Sequence, residues 1–134
     1  MQVDEYGLEV LSAAQCRALL ATHSVGRLGT SIGALPVVVP VDYAVDGRFV
    51  AMRIKPDTVF DKSLIGCVVG FEVDALGDST DDSWFVNVTG EVREVEAETD
   101  IERLEKLGVP ELLTESHWVR ISTKVVFGRR KPRP

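Results

Sequence analysis

The stretch that most constrains this chain is Leu35-Pro36-Val37-Val38-Val39-Pro40-Val41-Asp42-Tyr43, a run of β-branched residues interrupted by two prolines. Valines in such density favour extended backbone packed on a pleated surface. Proline has no N–H to give to a ladder, so a central strand is excluded, and Pro36 and Pro40 belong at a strand start, a bulge or an outward-facing edge. The flanks fix the pairing. Gly26-Arg27-Leu28-Gly29-Thr30 reads as a strand, with Ser31-Ile32-Gly33-Ala34 as the turn that follows. Val45-Asp46-Gly47 carries an Asp-Gly hairpin signal into a third strand, Arg48-Phe49-Val50-Ala51-Met52-Arg53. Three strands joined by short turns make an antiparallel meander.

The rest of the chain extends the pattern. Ser12-Ala13-Ala14-Gln15 fits a capping box for a helix from about Ala13 to Thr22, with Cys16, Leu19 and Leu20 on one face. Lys55-Pro56-Asp57-Thr58 breaks the third strand, and Val59 to Ile65 suits one or two helical turns. Cys67 to Asp74 reads as a fourth strand, Gly77 to Ser83 as a polar loop with Asp78, Asp81 and Asp82, and Trp84 to Val95 as a fifth strand with Trp84, Val86, Val88 and Gly90 on one side. Thr99-Asp100-Ile101-Glu102 matches a second capping box, for a helix running through Leu107 and stopped by Gly108 and Pro110; His117 to Phe127 is the last strand. The expectation is a mainly β (α+β) domain: a closed or partly closed antiparallel barrel of six strands with two or three peripheral helices, since closure removes exposed edges. Residues 1–10 are a lead-in, 11–127 the barrel and 128–134 a basic tail.

Charge and cysteine usage limit function. The 134 residues carry a formal −6, unevenly spread: residues 72–115 hold 14 acids and 3 bases, whereas 116–134 hold 6 bases and no acid. An overall acidic domain argues against general nucleic-acid binding, which rests on neutralising phosphates. Cys16 and Cys67 are too few for a disulfide framework, and His23 and His117 lie at no metal-ligand spacing. The acidic start and the lack of an apolar run near ~18 residues point to a soluble cytoplasmic protein with no membrane span.

Catalytic signatures are few. There is no Gly-x-Ser-x-Gly elbow and no phosphate-binding glycine loop among Gly26, Gly29 and Gly33. One cluster stands out: Arg53 at a strand end, Lys55 in the connection and Lys62 in the following helical segment, three cations that one turn can aim at a phosphate. Arg53 and Lys62 could instead pair on the surface with Asp57 and Asp61. Trp84 and Trp118 each open a strand, either as barrel plugs or as flat faces for a planar ligand. Arg120, Arg129 and Arg130 read most simply as solvated or interface cations.

Taken in order, Leu11-Ser12 with Cys16 and Leu19-Leu20, Val25-Gly26-Arg27-Leu28-Gly29-Thr30, Pro36 to Tyr43, Asp46-Gly47, Val69-Gly70-Phe71-Glu72-Val73-Asp74 and Ser83-Trp84-Phe85-Val86-Asn87-Val88-Thr89-Gly90 resemble the pyridoxamine 5′-phosphate oxidase-like family of FMN-binding split barrels. The resemblance implies a six-stranded split barrel that forms a homodimer with FMN in grooves at the interface. It implies that Val39, Pro40 and Val41 lie along the isoalloxazine edge, and that Met52, Arg53 and Lys62, with Lys55 beside them, face the ribityl chain and phosphate. Trp84, Val86 and Asn87, with Trp118 and Arg120, would approach from the partner subunit. Arg53-Ile54-Lys55-Pro56-Asp57 departs from the Arg-Thr and glycine-containing turn of many relatives, which leaves the phosphate ligands open. The chain also lacks the extended C-terminal half that binds the product in the true oxidase, which argues against vitamin B6 oxidation. The implied function is a flavin-dependent oxidoreductase in which the cofactor carries the chemistry, acting on a small-molecule substrate with a separate electron donor. A deazaflavin (F420)-dependent reductase, a flavin- or haem-binding carrier without turnover, and a structural dimer with an empty groove are the alternatives.

Overall fold

The computed structural model describes residues 1–76 and 83–132. In chain order it contains β1 (Glu9–Val10), α1 (Ala13–Leu20), β2 (Val25–Ile32), β3 (Leu35–Asp42), β4 (Ala44–Asp46), β5 (Phe49–Ile54), α2 (Val59–Leu64), β6 (Val68–Ala75), β7 (Trp84–Glu94), α3 (Glu98–Glu105), β8 (His117–Ser122) and β9 (Val125–Arg130). Every pairing between these strands is antiparallel, in the order β3-β2-β6-β7-β8-β5-β4, with β9 pairing β7 and β1. The sheet curls because β7 serves two partners on one side: Trp84 to Thr89 pair with β9, while Val92 to Glu94 pair with β8. This is the partly closed barrel expected from the strand pattern and the split barrel that the family resemblance implies. Its strand count is higher than six because a short β1 adds to β9, β4 separates from β3 at Tyr43, and the last strand divides.

Burial alternates as the sequence pattern requires. Leu28, Phe71, Val86, Val88 and Ile121 fill the barrel with Met52 and Leu64, and a smaller cluster of Ala51, Val95, Leu104, Val109 and Trp118 packs α3 and the following segment against the outside of β5 and β8. Gly26 has a packing reason: a Cβ there would lie 2.5 Å from the buried Phe71 ring. Both prolines of β3 sit on an edge strand and are exposed, as their missing N–H demands.

Several boundaries differ from the sequence reading. Ser31 and Ile32 belong to β2, and the β2–β3 turn is the two-residue Gly33-Ala34 loop with φ of 55° and 65°, the conformation a tight hairpin selects. Helix α1 has its Ser12–Gln15 capping box but ends at Leu20. Helix α3 starts at Glu98 behind Ala97, which makes no side-chain cap bond, so Thr99 lies inside the helix; Glu98 and Asp100 place negative charge at its first turn instead. The strand expected from His117 to Phe127 is two strands. Thr123 turns the corner, its N–H and Oγ1 both donating to the Arg48 carbonyl at 2.8 and 2.9 Å. Residues 77–82 of the expected acidic loop lie outside the described residues. Glu9 and Val10 of the lead-in pair with Arg130 and Arg129.

Candidate functional site

Strand alternation decides which predicted residues can meet a ligand. On β3, Val39 and Val41 turn towards the core and are partly buried, whereas Pro40 is exposed. On β5, Met52 points into the barrel and Arg53 to the opposite side, across from Trp118 of β8. The Arg53 guanidinium stacks over the Trp118 ring at 4.4 Å and forks onto Glu105 of α3, Nη1 to Oε1 at 3.2 Å and Nη2 to Oε2 at 2.7 Å. The Trp118 indole N–H donates to the same Glu105 Oε1 at 3.0 Å. Hydrogen bonds from Arg53 and then Trp118 outweigh the effect of burial and hold the Glu105 carboxyl below the usual glutamate range. The Arg53 side chain is only 8% exposed. Its Nε is buried and has no hydrogen-bond partner among the described residues.

Arg53 lines a cavity of about 160 Å³ with Pro40, Val41 and Asp42 of β3 and Val109, Pro110 and Leu112 of the segment after α3. Three of the predicted residues therefore meet at one place, with Trp118 beneath Arg53. Lys55 and Lys62 stand exposed near α2, with no ion pair among the described residues. The alternative surface pairing of Arg53 and Lys62 with Asp57 and Asp61 is not formed, because Glu105 takes Arg53 and His117 takes Asp61.

The other predicted residues lie apart. Trp84 and Val86 are buried in the barrel core, so their side chains act as plugs. Asn87 faces outward on β7, its Nδ2 donating to Thr89 Oγ1 at 3.4 Å. Arg120 lies over Phe49 at 4.1 Å, beside Asp100 at 3.7 Å, in a separate groove with Arg93 and Glu94.

Two features escaped sequence reasoning. Glu105 looks like any solvated helix acid until α3 docks. His117, without ligand spacing in the sequence, bridges Asp61 and Glu94, Nε2 to Oδ1 at 2.7 Å and Nδ1 to Oε1 at 2.5 Å. Its register opposite Ile54, at the end of β5, is the signal that could have placed it against the turn into α2.

The family model described as pyridoxamine 5′-phosphate oxidase matches residues 12–130, nearly the whole chain. The chain belongs to the pyridoxamine 5′-phosphate oxidase family. Solved structures agree. An FAD binding protein from Mycobacterium smegmatis is 29% identical, with a TM-score of 0.80 over 92% of this chain and 100% of that one. A protein of unknown function from Corynebacterium diphtheriae is 26% identical with a TM-score of 0.78, covering 93% of this chain and 98% of that one. A putative pyridoxamine 5′-phosphate oxidase from Corynebacterium glutamicum, 22% identical over 91% of this chain and 96% of that one, has a TM-score of 0.78 and shows the fold. No match was found among curated proteins. No helix among the described residues is long and apolar enough to cross a membrane.

Proposed function

We propose that this protein is a flavin-dependent oxidoreductase that binds FMN or a related flavin nucleotide in a groove bordered by β3, the end of β5 and α2, and that it works as a homodimer. One observation carries the reading: a family member's barrel brings Pro40, Val41 and Arg53, whose buried Nε has no partner, to one cavity, while the connection after Arg53 and α2 carry Lys55 and Lys62, exposed and with no ion pairs among the described residues. That donor set fits a flavin nucleotide, which presents a planar ring with hydrogen-bonding oxygens at one end and phosphate at the other. The M. smegmatis relative described as binding FAD supports a flavin and widens the choice beyond FMN.

The outer face of the sheet supports the dimer. Val38, Gly29, Gly70, Thr89 and Val125 lie in register across five strands, and Val38 and Val68 are 67% and 69% exposed. A Cβ on Gly29 or Gly70 would meet nothing closer than 3.8 Å, so the barrel itself does not require glycine there; a second backbone approaching from outside would.

When bound, the flavin supplies hydride or electron transfer. The chain's part is position and charge. Lys55 and Lys62 would hold the phosphate, the main chain of Val39, Pro40 and Val41 would border the ring, and the β3 edge with the 109–112 segment would keep water from it. The test is an absorbance spectrum of purified protein and mass spectrometry of what denaturation releases. Bound flavin that a nicotinamide donor reduces and an added acceptor reoxidises is the expected result. Bound flavin or haem without turnover makes the protein a carrier, released deazaflavin makes it an F420-dependent reductase, and colourless protein that FMN titration leaves unchanged refutes the cofactor.

A further inference from the structure

The sequence pattern offers Arg53 as a phosphate ligand, and its surroundings argue otherwise. Each terminal nitrogen of the guanidinium donates one N–H to Glu105, whose carboxylate balances the charge, and the stack on Trp118 fixes the plane. Glu105 is not a loose counterion that an incoming anion could displace at little cost. Its Oε1 also satisfies the indole N–H of Trp118, a buried side chain, and losing that acceptor would strand a buried donor. A phosphate at Arg53 would face the Glu105 carboxylate, with Asp42 lining the same cavity. Like charges at such a distance oppose binding. What Arg53 retains is a second N–H on each terminal nitrogen and a buried N–H at Nε with no partner among the described residues, in a side chain that borders a space of about 160 Å³, below the roughly 300 Å³ from which ligand pockets start and suited to the edge of a ligand.

We infer that Arg53 is a charge-compensated donor for a neutral oxygen of the bound cofactor, a ring carbonyl or chain hydroxyl, that Glu105 and Trp118 are positioning residues which hold it for that purpose, and that the phosphate belongs to Lys55 and Lys62. This rests on the flavin reading above. A free arginine would favour an anion; an arginine already paired to a carboxylate favours a dipole, and its fixed plane makes it selective for where that dipole lies.

The experiment compares riboflavin, which has no phosphate, with FMN, using fluorescence quenching on the full chain at low and high salt. Arg53→Met with Glu105→Gln keeps the stem over Trp118 without leaving a lone carboxylate. It should weaken both ligands by the same factor, on the order of tenfold, and leave the FMN-to-riboflavin ratio unchanged. Lys55→Ala and Lys62→Ala should weaken FMN alone and flatten its salt dependence. Glu105→Gln by itself exposes the charge of Arg53 and should raise the FMN-to-riboflavin ratio, a readout that a merely structural Glu105 would not move in that direction. An Arg53 variant that weakens FMN but spares riboflavin, or that changes neither, overturns the assignment, as does a lower ratio in Glu105→Gln. If wild-type protein binds neither flavin, the cofactor reading fails and takes this assignment with it.

Discussion

The His117 bridge yields a stability prediction with a definite sign. Asp61 and Glu94 each face one ring nitrogen, an arrangement in which the protonated ring donates to both. Burial disfavours the ring's charge, but its hydrogen bonds to Glu94 and Asp61 outweigh that, and the ring's pKa is held above its ordinary value. The contact reaches further than one pair. The second oxygen of Asp61 accepts from Asp57 N–H at 2.9 Å, and Asp57 sits at a φ of 59°; Thr58 Oγ1 caps the Asp61 N–H at 3.1 Å. His117 thus ties β8 to the turn before α2, the segment that carries Lys55, and to α2 itself with Lys62.

The folded pKa is raised, so the stabilisation is complete below the unfolded value of about 6.5 and is lost as pH rises through the folded value. Deprotonation breaks one of two charge-assisted hydrogen bonds and turns a ring lone pair towards a carboxylate. Such a bond is worth about 1.5–3 kcal/mol, and with the side chain 20% exposed the lower end applies. Urea unfolding of wild type and His117→Gln across the pH range gives the test as a difference between the two proteins, which cancels other titrating groups. The wild-type advantage should be greatest below neutral pH and shrink by about 1.5 kcal/mol in alkaline buffer. An advantage that stays flat, or that grows with pH, refutes the imidazolium.

Three further changes probe the fold and its link to the site. Gly26→Ala puts a Cβ 2.5 and 2.7 Å from two atoms of the Phe71 ring, which has no room to move, and should cost about 1–3 kcal/mol in chemical denaturation. Ala34→Gly relieves a left-handed residue in the β2–β3 hairpin and should stabilise by about 1 kcal/mol in the same assay; a loss would mean that the turn is not formed. Leu104→Ala empties the anchor of α3 and should cost about 2–5 kcal/mol, and because Glu105 rides on that helix, flavin affinity should fall with it.

What the sequence made legible was whatever local chemistry controls. The alternation of Trp84, Val86 and Val88, the Ser12 capping box and the positive φ of Gly47 all follow from a few neighbouring residues, and Pro36 and Pro40 narrowed their strand to a start, a bulge or the edge that the structure shows. The division of the last strand left no such trace: apolar residues stand at 119 and 121 and then in a row at 125, 126 and 127, and only the structure shows the corner at Thr123. Glu105 and Arg53 are separated by 52 residues and Asp61 and His117 by 56, and nothing local joins them. The same holds for Thr99, where a good capping pattern lost to the placement of Leu104 in the second cluster.

These long-range pairs are not scattered. Both lie on the β5–β8 side of the barrel, where two strands paired from Phe49 to Ile54 end beside each other, with Leu64 of α2 reaching the barrel core and Leu104 of α3 packing outside it. Helix α2 contributes one fully buried residue apart from Asp61, and α3 contributes only Leu104, so apolar burial alone leaves both helices lightly held. The charges supply what the core does not: Asp61 to His117 for α2, Glu105 to Arg53 and Trp118 for α3. Polar ties of this kind fix direction more sharply than apolar contact, which slides at little cost. The proposed flavin site, which would align a planar ligand between an edge strand and two short helices, needs that directional control, and the arginine most exposed to suspicion as a ligand is also the post on which one of those helices is set.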